Sequence, residues 1–187
     1  NKIFRKKRKQ KKKRGGGLGC SRPGNCTAAD RDNVEEEDPN TIDDYLGLAI
    51  VEERQHWVKT YLVKGANPNI TILDEHTWAT QGYAEPVPAI IYAARHIRPS
   101  TILRFLLEKD AGADENMDTT PLIEAAEWGN LSAVGYLLNI GANINATNGN
   151  GVTAIGWAVL NEDIPMIRLM LDKRKGEIDF NYTAFGT

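Results

Sequence analysis

A period of about 33 residues constrains this chain more than any other feature it carries. Thr120-Pro121-Leu122-Ile123-Glu124-Ala125-Ala126 is followed 33 residues later by Thr153-Ala154-Ile155-Gly156-Trp157-Ala158-Val159, and Pro88-Ala89-Ile90-Ile91-Tyr92-Ala93-Ala94 stands 32 residues before it. Each run is followed by a second apolar segment, at 102–107, 133–138 and 166–171. A degenerate earlier copy passes through Leu48-Ala49-Ile50 and Trp57-Val58-Lys59-Thr60-Tyr61-Leu62 to Gly65-Ala66-Asn67-Pro68-Asn69, a close echo of Gly141-Ala142-Asn143-Ile144-Asn145.

Local chemistry reads each copy as two antiparallel helices. Pro121 suits a helix first turn, where its missing N–H costs nothing, and Thr120 caps it. Leu122, Ala125 and Ala126 then share one face, Gly129 fits a left-handed position past the helix end, and Asn130 caps the next helix. Ala133, Val134, Leu137 and Leu138 line that second helix until Gly141 ends it. Helices of about eight to ten residues are too short to stand alone in water, so the copies are expected to stack into one continuous core.

Charge divides the sequence. Residues 1–14 hold ten Lys/Arg and no Asp/Glu, leaving 13 basic and 25 acidic side chains beyond them, a net of −12. Three zones follow: a polybasic tail (1–14), a Gly-rich then acidic linker (15–42) with too few apolar residues to offset its ordering entropy, and the repeat domain (43–187). Arg5, Lys6, Lys7, Arg8, Lys9, Lys11, Lys12, Lys13 and Arg14 form the basic signal. It is expected to engage a nuclear import receptor, nucleic acid or an anionic membrane surface. Cys20 and Cys26 lie in the Gly-rich segment and the repeats carry no cysteine, which suits a reducing intracellular setting, nucleus or cytoplasm. No apolar run reaches the roughly 18 residues of a spanning helix; an upstream span would instead put the repeats on the cytoplasmic side of a membrane.

No reacting centre is expected. His56, His76 and His96 are scattered, the two cysteines have no companion cluster, and Gly15–Gly19 lacks the Gly-Lys-Ser/Thr of a phosphate-binding loop. The sequence reads as a non-enzymatic protein without cofactor or metal.

The quoted runs resemble the ankyrin repeat, whose pattern is Thr-Pro-Leu-His-x-Ala-Ala, a Gly, an apolar helix, and Gly-Ala-x-x-Asn. The resemblance covers roughly residues 44–187. It implies an all-α solenoid of about four stacked helix–turn–helix repeats with β-hairpin fingers, and a monomeric array that binds another protein through its concave face. Asn148-Gly149-Asn150-Gly151 has the turn chemistry a finger needs. The family's His is replaced by Ile91, Ile123 and Gly156, so its usual bond to Thr is expected to be absent. The first two copies are 44 residues apart (Ala49 to Ala93), and the surplus at 70–88 is expected to lengthen one finger, carrying Trp78 and Tyr83. A residue is also added within 95–100. Gly186-Thr187 falls where a further repeat would open. With a first residue other than Met, the sequence is expected to be a fragment of a longer protein whose array continues past residue 187.

By position in the family pattern, Arg95, His96, Glu127, Trp128, Leu160 and Asn161 are placed on the concave face. Met117, Thr119, Asn150 and Val152 border it on the fingers. Trp57 reads as core, and Trp157 as core or concave surface. Trp128 is either a contact for the partner, with no duty inside its own repeat, or a side chain packed sideways onto a neighbouring repeat.

Overall fold

Four pairs of helices answer to the four copies of the repeat. The computed structural model describes residues 39–75, 85–111 and 119–179. Its elements are α1 (Pro39–Val51), α2 (Gln55–Val63), β1 (Thr71–Asp74), β2 (Glu85–Pro88), α3 (Ala89–His96), α4 (Thr101–Leu107), α5 (Pro121–Glu127), α6 (Leu131–Asn139), α7 (Ala154–Leu160) and α8 (Ile164–Arg174). Within each pair the helices pack on one another. The first helices α1, α3, α5 and α7 also stack in sequence as an inner layer, and α2 packs on α4 and α6 on α8 in the outer one. No helix among the described residues is long and apolar enough to cross a membrane.

The helix starts follow from their caps. Thr120 Oγ1 accepts the Ile123 N–H at 3.3 Å and Thr153 Oγ1 accepts that of Gly156 at 3.1 Å. In both repeats the Thr, without the family's His, serves as an N-cap. Asn130 caps α6 through Ala133 N (3.2 Å) and Asp163 caps α8 through Met166 N (3.0 Å).

The helix ends follow from positive φ. Gly129 (φ 68°) reverses the backbone between α5 and α6, and Glu53 (φ 55°) and Glu162 (φ 54°) do the same work in the first and fourth repeats. A side chain in this region is strained where glycine is not. Glu162→Gly is therefore expected to stabilise the protein by up to about 1 kcal/mol, read by urea denaturation. A loss of stability would mean that the Glu162 carboxylate offsets its own residue's strain.

One core runs the length of the stack. Leu122, Ala125, Ala133, Val134, Leu137 and Leu138 are all buried, together with Ile90, Ile91, Ile102, Leu103 and Leu106 of the second repeat and Met166 and Met170 of the fourth. Hydrogen bonds to backbone carbonyls tie neighbouring repeats. The fully buried Asn130 reaches back to Ala94 O (2.9 Å) and Ile97 O (3.1 Å), Arg98 forward to Gly129 O (2.9 Å), and Arg174 back to Leu138 O (2.8 Å).

Two expectations change. The helical region begins at Pro39, inside the segment read as linker to residue 42, because Ile42 already packs on the core and the Asp43 carboxylate accepts the Asn67 N–H at 2.8 Å. The lengthened finger is an antiparallel pair, as expected of a helical solenoid with β-hairpin fingers, with Thr71 opposite Pro88 and Asp74 opposite Glu85. Fingers are also not uniform hairpins, since the finger before α7 is a turn closed by the single bridge Thr147–Thr153. Trp78, Tyr83, Met117, the basic tail, both cysteines and the last eight residues lie outside the described residues.

Candidate functional site

The inner helices place the predicted face. Glu53, Gly129 and Glu162 mark one register through their shared backbone conformation. Counting back from them aligns Val51, Glu127 and Leu160, and likewise Leu48, Glu124 and Trp157. In the second repeat Tyr92, Arg95 and His96 take the places of Glu124, Glu127 and Trp128.

The centre of this face is a buried polar buckle. Arg95 Nε donates to Glu124 Oε2 at 2.6 Å and its Nη1 to Asp74 Oδ2 at 3.0 Å, while His96 Nε2 lies 2.8 Å from the same Asp74 oxygen. Because an ionised carboxylate only accepts, His96 donates. Side-chain exposure is 10% for Arg95, 0% for Asp74, 6% for Glu124 and 13% for His96, so this network is held away from water. Burial alone would lower the Arg95 pKa, but its bonds to Glu124 and Asp74 outweigh that and raise it. The Tyr92 hydroxyl is pushed up by burial first, then by the negative charge of Asp74 and more distant acids.

Trp128 covers the buckle. Its ring meets His96 edge-on at 4.8 Å, and the Arg95 guanidinium sits 5.6 Å from its centroid, a cation–π contact. The half-buried Trp128 thus packs sideways onto the second repeat, one of the two places its position allowed. Arg95 reaches Asp74 and Glu124, and His96 reaches Asp74. Val152 is buried, 5% exposed, because it packs beside the first turn of α7, where its Cγ1 approaches Gly156. Asn150 and Leu160 (40% exposed) stand open, and Asn161, also exposed, donates from Nδ2 to Glu127 O at 2.8 Å. The Thr119 hydroxyl and the Trp157 indole N–H are buried without a hydrogen-bond partner.

Sequence reasoning missed Asp74 and Glu124. Asp74 lies in the surplus finger, which has no repeat register to predict its place. Glu124 did leave a sign: a carboxylate inside the apolar run Leu122-Ile123-Glu124-Ala125-Ala126 needs a partner when buried. Leu48 (42% exposed) and Val51 (45%) were also missed as open apolar positions of the same face.

Glu127 stands apart from the buckle. Its pKa is raised by burial, then by the neighbouring Glu124 charge, with Arg95 pulling the other way. A carboxyl that binds its proton more tightly when folded supports the fold below the unfolded carboxylate range and loses that support as pH rises through the folded value. Glu127→Gln is therefore expected to gain about 0.5 kcal/mol or less at neutral pH, the gain vanishing in acid as both side chains become neutral. Denaturation across pH reads it; a less stable variant at neutral pH would mean that the Arg95 attraction dominates.

Stacked pairs of short antiparallel helices, joined by turns and fingers that pack on the inner layer, define a helical repeat protein. Residues 122–171 match the family model for ankyrin repeats, so this part of the chain is built of ankyrin repeats. It is 39% identical over 91 residues to the ARF GTPase-activating protein Git of Drosophila melanogaster, covering 46% of this chain and 12% of that protein. It is 44% identical over 59 residues to Ankyrin repeat and KH domain-containing protein 1 of Homo sapiens, covering 31% and 2%. Against Alpha-latrotoxin-Lh1a of Latrodectus hasselti it is 44% identical over 52 residues, covering 28% and 4%. The match thus spans a small part of each relative. Ankyrin repeats are generally modules for protein–protein interaction and typically not enzymes.

Proposed function

We propose that this protein binds another through the inner face of its repeats, as a scaffold or adaptor. One observation carries the reading. The same register of the inner helices that holds buried charge in the second and third repeats presents open apolar side chains at both ends of the stack. These are Leu48 and Val51 in the first repeat and Leu160 in the fourth. Arg95, Glu124 and Asp74 bond to one another between them, so the first and fourth repeats offer the apolar contacts. Half-buried Trp128 and open Asn150 and Asn161 add aromatic and polar surface beside them. An apolar contact flanked by satisfied polar groups suits a protein surface or peptide, where a few buried side chains dominate affinity.

Capture by the full-length protein tests it, with a high-salt wash to remove whatever residues 1–14 hold by charge alone. Leu160→Asp is expected to weaken retention of the partner about tenfold or more while leaving thermal unfolding unchanged. Undiminished retention in this variant would remove the inner face from the contact. A second reading, that the ten Lys/Arg of residues 1–14 bind nucleic acid, an import receptor or anionic lipid, is favoured by that charge density. It is distinguished by loss of capture in the salt wash.

A further inference from the structure

Three copies of one turn single out the finger before α7. Asn67, Asn143 and Asn148 each accept, through Oδ1, the backbone N–H two residues on: Asn69 at 2.9 Å, Asn145 at 3.0 Å and Asn150 at 3.0 Å. The residue between differs. Pro68 has no amide N–H, Ile144 is β-branched and buried, and Gly149 is exposed with no side chain to crowd an approach. Asn148 alone accepts a second backbone donor, Val152 N at 2.9 Å.

We propose that Asn148 converts spontaneously, through a cyclic imide with Gly149, to aspartate and isoaspartate. The Gly149 amide nitrogen attacks Cγ of Asn148 and forms a new C–N bond. The charge developing on Oδ1 falls between the Asn150 and Val152 N–H groups, which are already aimed at it, as donors in an oxyanion hole are. The bond between Cγ and Nδ2 of Asn148 breaks, and ammonia leaves with the proton lost from Gly149. Water then opens the imide at either carbonyl, giving aspartate or its main-chain isomer. The net change consumes one water and releases one ammonium, with no oxidant or cofactor.

The adjacent Asn150-Gly151 pair is the internal contrast. The Gly151 N–H donates to Asn148 O at 2.9 Å, and Gly151 is fixed at φ 74°, so its nitrogen is committed to the turn. Among the described residues no backbone acceptor holds the Gly149 N–H. Conversion at Asn148 places a negative charge on the finger beside the inner face. In the isoaspartate form it also lengthens the backbone next to the Thr147–Thr153 bridge.

Incubating the full-length protein in mildly alkaline, ammonia-free buffer and mapping its peptides by mass tests this. The peptide bearing Asn148 is expected to become about 1 Da heavier and to split into two isomers. Asn148 is expected to convert about tenfold or more ahead of Asn150, and faster in the folded protein than in a synthetic peptide spanning residues 143–154. Gly149 does not have a positive φ, so Gly149→Ala keeps the turn, and its circular dichroism is expected to match the parent while conversion slows. Equal conversion at Asn150, slower conversion in the fold than in the peptide, or an unchanged rate in Gly149→Ala would each overturn the proposal.

Discussion

Arg95→Ala is expected to cost the fold about 3–5 kcal/mol, because it removes the cation that two buried carboxylates share. Asp74 is fully buried and Glu124 is 6% exposed at its side chain, and Arg95 is the cation that joins them. With a total stability of roughly 5–15 kcal/mol for a domain, that loss brings the protein near unfolding. Urea denaturation measures it, and a second variant separates charge from packing. Arg95→Met combined with Asp74→Asn and Glu124→Gln is expected to recover most of the loss, since no uncompensated charge then remains. A single Arg95→Ala that costs under about 1 kcal/mol would mean that water reaches the buckle as it reaches a surface ion pair.

Leu137→Ala is expected to cost about 2–5 kcal/mol, with the matching change Leu171→Ala costing less. Leu137 is 3% exposed in α6, which is packed on both α5 and α8, whereas Leu171 of α8 is only partly buried. In a stack held by nearest-neighbour contacts, the interior element loses more when a side chain is removed. Denaturation of the two variants under one set of conditions decides it; equal losses would contradict a stacked core.

What was legible in the sequence was what depends on short separations. Thr120, Thr153 and Asn130 cap helices as their places beside apolar runs imply, and Gly129, Gly141 and Gly151 adopt the positive φ their turns require. The core stripe of Leu122, Ala125, Val134 and Leu138 was legible for the same reason, since period alone sets a helical face. The site was less so. Asp74 meets Arg95 at a sequence separation of 21, across a finger outside the repeat period, and no repeat pattern forecasts that meeting. Trp128 was placed by its position in the repeat, but its packing on His96 and Arg95 depended on knowing that those two side chains turn inward to Asp74. Glu53 and Glu162 hid their backbone conformation, because neither is the glycine that would advertise it.

The inner face as the surface that meets a partner is the central claim, and amide hydrogen exchange of the full-length protein with and without its captured partner tests it most directly. Protection on binding is expected in α1, α5, α7 and the finger residues 147–153, with little change in α6 and α8 on the outer layer. Protection confined to α6 and α8, or to residues 1–14, would contradict it.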